Sequence, residues 1–162
     1  MIEIDKREEC GRKYQELLDS LPNITSEEFY EKDKTEDLCY EVKEGTVAED
    51  IEDYLDEHSD IDFDNTEEIQ DLIQRSKQIP VYTKERYKIP EGFILDHVKD
   101  YLSDNFCYDW YEQGDLPLNE DEIKQFENQI NEKLKNWYIS DKLVYTMDLS
   151  KEVEEMIRCQ SE

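Results

Sequence analysis

Six carboxylates between Glu49 and Glu57, followed by Asp60, Asp62 and Asp64, are the residues of this chain best placed to do chemistry. Glu49, Asp53 and Glu57 are spaced by four, as are Glu52 and Asp56, and Asp50 stands three before Asp53. Residues three and four apart on a helix are neighbours, about 5–6 Å apart at Cβ, so this spacing makes a rail of negative charge. The rail has a cost, since each like-charged i,i+4 pair destabilises a helix by about 0.2–0.5 kcal/mol. It can serve as a solvated face that keeps a protein in solution. It can also imitate a nucleic-acid backbone, which carries one charge per roughly 3.4 Å of axis on each strand, and so enter a groove lined with Lys and Arg.

A second chemistry is cation binding. Asp60, Asp62 and Asp64 resemble the first half of an EF-hand calcium loop, with acids at positions 1, 3 and 5 and Asn65 at position 6. Such a loop collects six to eight oxygens, usually with Gly at position 6 and a bidentate Glu at position 12. Position 12 here is Asp71, a methylene shorter, so Asp60 to Asp71 reads first as an acidic loop capping the next helix, with calcium binding as the alternative. Catalytic patterns are poorer. Asp115 with Glu122-Ile123-Lys124 has the pieces of a metal-dependent nuclease, but Lys124 sits in a helical pattern rather than on a strand. His97 and Cys107 lie ten residues apart and need the fold to bring them together. Cys10, Cys39, Cys107 and Cys159 form no CxxC pair and the chain has two histidines, so zinc is not expected. The reading is of a chain that is not an enzyme, with no cofactor.

The carboxylates belong to a wider imbalance. Forty-five acids against nineteen bases give the 162 residues a net charge of −26, which speaks to solubility, steering and choice of partner rather than to fold. Between Glu27 and Arg75 stand twenty acids and four bases, −16 of that total. A basic protein surface is the expected partner, and direct nucleic-acid binding is disfavoured. The exception is a basic island, Lys77, Lys84, Arg86 and Lys88. Such charge can signal disorder, but Leu, Ile, Val and Phe make 38 of 162 residues, above the roughly 20% below which high charge means disorder. Aromatics at 11% argue the same way. The opening MIEIDKREEC has neither a basic nor an apolar signal region, and nothing approaches a membrane-spanning run, so the expectation is a cytoplasmic protein with no membrane partner.

Positioning these residues requires helices with a few strands. Cys10, Tyr14, Leu17, Leu18 and Leu21 mark a helix over residues 5–20 that ends near Pro22. Thr25 with Glu28 has capping-box spacing and opens a short helix. LCYEV at 38–42 is a strand before a turn at Gly45. Thr46 with Glu49 repeats the capping spacing and predicts a helix to about His58, with Val47, Ile51, Tyr54 and Leu55 inward and the rail outward. Asn65 caps a helix to about Lys77. IPVYTKERYKIP is β-like between prolines. A helix over 91–104 leads into the aromatic cluster Phe106, Tyr108, Trp110 and Tyr111. Asn119 starts a long helix with Ile123, Phe126, Ile130, Leu134 and Trp137 as its stripe, KLVYTM at 142–147 is a strand, and Ser150 opens a last helix to Arg158. The sum is a mainly helical α+β single domain, 1–162, with two or three short strands. It has an acidic helical part over about 1–78 and a C-terminal core part over about 79–158.

In size, in its acidic helices Glu49–Glu57 and Glu67–Asp71, and in the Tyr-rich segment YLSDNFCYDWYEQ at 101–113, the chain resembles the small acidic proteins that phages and mobile elements use against host defences, namely anti-restriction DNA mimics and anti-CRISPR inhibitors. The resemblance is of character, with no motif carried over residue by residue. It implies stoichiometric blocking of a nuclease or other DNA-handling enzyme in the host cytoplasm, without catalysis. The island at Lys84, Arg86 and Lys88 departs from a uniform duplex mimic. The rival class is an acidic adaptor or assembly protein docking on another basic protein, through Tyr101 to Tyr111 or the island.

Overall fold

The computed structural model describes residues 2–105 and 119–161. Among the described residues the fold is α+β and mainly helical. In chain order the elements are α1 (Ile2–Ser20), β1 (Asn23–Thr25), α2 (Ser26–Glu36), β2 (Leu38–Lys43), β3 (Thr46–Ala48), α3 (Ile51–Glu57), α4 (Thr66–Arg75), β4 (Ile79–Arg86), α5 (Phe93–Asn105), α6 (Glu120–Leu134), β5 (Tyr138–Asp148) and α7 (Ser150–Gln160). The strands form one sheet in the order β1-β5-β4-β2-β3. β1 runs parallel to β5, Asn23 opposite Thr146, while β2 is antiparallel to both β3 and β4. Among the described residues the sheet therefore has five strands where the sequence suggests two or three. The additions, β1 and β3, are three residues each, too short for an alternating pattern to announce them.

Local chemistry sets most boundaries. Thr25 Oγ1 accepts the Glu28 amide at 3.2 Å and Glu28 Oε2 accepts the Thr25 amide at 2.8 Å, a complete capping box at the start of α2. That helix stops at Asp37, whose left-handed backbone (φ 53°) returns its N–H to Asp33 O. Asn65 caps α4 by accepting the amides of Glu67 and Glu68, and Asn119 caps α6 through Asp121 N. Each satisfies an N–H that the first helical turn leaves without an intrahelical partner. The helix expected from Thr46 is corrected. Gly45, at φ +77°, turns the chain back so that Thr46–Ala48 pairs with β2, and the helix begins five residues later at Ile51.

The chain divides into two compact units, residues 1–84 together with 140–162, and residues 85–139. β4 and β5 lie in the same sheet as β1, β2 and β3 of the acidic segment. In the first unit Tyr40 is the hub. Its ring meets Phe29 edge-on at 5.7 Å and Tyr54 at 6.4 Å, with Leu38, Leu72, Val81, Met147, Leu149 and Val153 fully buried around it. β5 and α7 thus supply core as expected, but α5 and α6 do not. Phe126 is 54% and Trp137 65% exposed, and the buried side chain of α6 is Glu127. No described helix is long and apolar enough to cross a membrane.

Candidate functional site

The shortened α3 redistributes the rail. Its seven residues span about 10 Å, and their inner face is fixed by buried Ile51 and Tyr54. Glu52, Asp53 and Asp56 are exposed, and among the described residues none meets a Lys or Arg within 4.0 Å. Glu52 and Asp56 stand four apart and Asp53 and Asp56 three apart, so they lie along one flank of the helix. From Glu52 to Asp56 the three charges span about 6 Å of axis, close to the density of one nucleic-acid strand, one per roughly 3.4 Å.

The remaining rail carboxylates are engaged. Asp50 is the N-cap, with Oδ1 accepting Glu52 N at 3.1 Å and the Tyr30 hydroxyl at 3.2 Å. The Tyr30 oxygen in turn accepts Ile51 N, and Tyr40 donates its hydroxyl to Asp50 O. Glu57, at the end of α3, pairs with Lys43 at the end of β2, and the hydrogen bond and charge of that ammonium hold its carboxyl below the usual range. Glu49 lies ahead of the helix, half-exposed, with its Oε2 2.8 Å from Lys84 Nζ.

Lys84 is the element that sequence reasoning missed. Its side chain is 1% exposed, with Asp37 at 3.3 Å and Asp33 at 3.9 Å completing a cage with Glu49. A buried cation needs such partners, because removal from water costs several kcal/mol per ion. The alternation of β4 held the only signal, since Lys84 shares a face with half-buried Tyr82. Its three acids come from two other segments, so no neighbour in the chain announces them. The rest of the basic island disperses. Arg86 Nη1 donates to the carbonyl of Lys135, the C-cap of α6, at 2.7 Å, Lys77 donates to Gln74, and Lys88 is exposed.

The loop from Asp60 to Asp71 is built as a helix cap. Asp62 Oδ1 accepts Asp64 N at 3.0 Å, Glu68 accepts from Asp62 N and from the Asn65 side-chain amide, and Asp71 pairs with Arg75 at 2.9 Å. Asp60 and Asp64 are exposed. Among the described residues no group of three or more acids, histidines or cysteines is arranged to hold a metal ion. The other chemical candidates are also engaged in structure. Lys124 pairs with Glu91 at 2.6 Å, and His97 packs on Phe93 while its Nδ1 lies 2.8 Å from Phe93 O. Cys107, Asp115 and the cluster Phe106, Tyr108, Trp110 and Tyr111 lie outside the described residues.

Comparison with protein-family models, curated proteins and solved structures finds no match to this chain.

Proposed function

We propose that this protein is a non-catalytic acidic docking protein that presents Glu52, Asp53 and Asp56, flanked by Asp60, Asp62 and Asp64, to a basic groove built to hold nucleic-acid phosphates. The observation that carries the reading is the unneutralised carboxylate flank of α3 on a helix whose start is pinned by Asp50, Tyr30 and Glu49. Preorganised charge loses little ordering entropy on binding, and a surface of one sign steers encounter with its opposite. The target class that fits is a DNA-handling enzyme, such as a nuclease of a CRISPR or restriction system, in the cytoplasm of the host cell. Blocking is by occupancy, with no chemistry.

The adaptor reading has its own support, the exposed Tyr101, Phe126 and Trp137 of the second unit, because aromatic side chains dominate binding hot spots. One experiment separates the two. The tagged chain is used to recover partners from bacterial lysate at low and moderate salt, and bound proteins are challenged with excess duplex DNA. Groove occupancy expects a DNA-handling enzyme that DNA displaces and that a Glu52→Gln, Asp53→Asn, Asp56→Asn variant does not retain. A partner indifferent to DNA and to that variant, but lost on Trp137→Ala, would sink it in favour of the adaptor.

A further inference from the structure

We infer that Lys84 is the positioning residue of the α3 carboxylates, setting their orientation without touching any partner. The inference rests on the docking reading above. With seven residues, α3 is well below the length at which a helix holds itself in water, and Glu52, Asp53 and Asp56 repel one another along it. Its entry must be fixed from outside. The cage does this. Lys84 Nζ ties Glu49, one residue before the N-cap, to Asp33 and Asp37 at the end of α2, while Lys84 N donates to Asp37 O at 2.9 Å. Asp33 is itself set by accepting Leu38 N at 2.6 Å. The second tie also runs to α2, through Tyr30 to Asp50 and Ile51. Thus one buried ammonium joins the end of α2, the start of β2, β4 and the entry to α3. Glu49 then acts in this tie rather than in docking.

Charge alone and position make opposite forecasts for Lys84→Met. Removing a cation makes an acidic chain more acidic, which by charge alone tightens binding to a polycation. Loss of positioning weakens it at α3. The test is a titration of the full isotope-labelled chain with a nine-residue arginine peptide, reading affinity from the amide shifts of Glu52, Asp53 and Asp56, for wild type, Lys84→Met and Lys84→Arg. The expected result is affinity at α3 lowered about tenfold in Lys84→Met, worth about 1.4 kcal/mol, with faster hydrogen exchange over Ile51–Glu57 and recovery in Lys84→Arg. Equal or tighter binding at those amides in folded Lys84→Met overturns the inference. The triple variant Glu52→Gln, Asp53→Asn, Asp56→Asn tells the two readings apart. If it is impaired and Lys84→Met is not, only the positioning role fails. If it binds as wild type does, the docking reading fails and takes the positioning role with it. Should Lys84→Met lose its helical signal, Glu49→Ala replaces it, removing the acceptor and so cutting the tie to α3 while Asp33 and Asp37 stay on Lys84. Faster exchange over Ile51–Glu57 than over β4 upholds the inference, and unchanged exchange there overturns it.

Discussion

Glu127 accepts the backbone N–H of Ile94 at 2.9 Å through Oε1, and its other carboxylate oxygen takes the N–H of Gly92 at 3.1 Å. A side chain in the middle of α6 thereby caps the first turn of α5, and it is 3% exposed. Glu127→Ala leaves both donors without a partner away from water, a loss of about 1–3 kcal/mol. The expected outcome is a lower urea midpoint, with hydrogen exchange quickened over Phe93–Asn105 before any change in the sheet. Glu127→Gln keeps an acceptor and should lose less.

Neutralising Asp56 should stabilise the protein even as it removes a docking charge. Asp56→Asn relieves an i,i+4 repulsion with Glu52 and an i,i+3 repulsion with Asp53, each worth about 0.2–0.5 kcal/mol, and leaves Glu52 and Asp53 in the first turn of α3, where the helix dipole favours them. A higher thermal midpoint is expected at low ionic strength, shrinking as salt rises toward 1 M, where the screening length is about 3 Å. An unchanged midpoint at low salt would mean that the carboxylates do not sense one another.

Alkaline pH should unfold the chain early. Burial pushes the Cys39 thiol up to about 11, and burial likewise raises the hydroxyls of Tyr40, Tyr54 and Tyr82 above their ordinary value. A group whose folded value is raised keeps its proton in the native state after the unfolded chain has released it. Stability from it is therefore complete below the unfolded value, near 9 for Cys39 and near 10 for the tyrosines, and is lost as pH rises through the folded value. Urea midpoints measured from pH 7 to 11 should be flat to about pH 9 and fall beyond it. Cys39→Ser and Tyr82→Phe should each delay part of that fall.

The same burial sorts the described thiols by reactivity. Cys10 and Cys159 are exposed while Cys39 is fully buried, and the thiolate is the nucleophile. An aromatic disulfide reagent at pH 8 should label Cys10 and Cys159 promptly in the native protein and Cys39 only with denaturant. Peptide mapping reads this directly, and prompt labelling of Cys39 would show that the sheet opens at β2.

What the sequence made legible was chemistry confined to a few neighbouring residues. The Thr25–Glu28 box, the Asn65 and Asn119 caps and the apolar spacing of α4 and α7 are local, and the elements stand where they predict. Thr46 with Glu49 has the same spacing as Thr25 with Glu28 and yet starts no helix. Gly45 and the pairing of Val47 with Glu41 win, because a hairpin ladder offers those amides partners that a lone capping pair cannot match. Of the nine candidate carboxylates, spacing put six, Glu49 to Glu57, on one rail without telling the engaged from the open ones, because the roles of Glu49 and Asp50 depend on Lys84 and Tyr30, thirty-five and twenty residues away in the chain. The stripe read for α6 misled in the other direction, since Phe126 follows helical spacing and remains exposed, while Trp137 falls beyond the end of the helix at Leu134 and is exposed too.

The parallel pairing of Asn23 with Thr146 sets a timetable for synthesis. Residues 1–84 emerge from the ribosome first, yet the side chains that close their core, Met147, Leu149 and Val153, come roughly seventy residues later. At about 5–20 residues per second the nascent segment waits several seconds with Phe29, Tyr40 and Tyr54 incompletely covered. Over that interval the sixteen surplus negative charges between Glu27 and Arg75 hold neighbouring nascent chains apart, so the excess that arms the finished surface also guards the unfinished one.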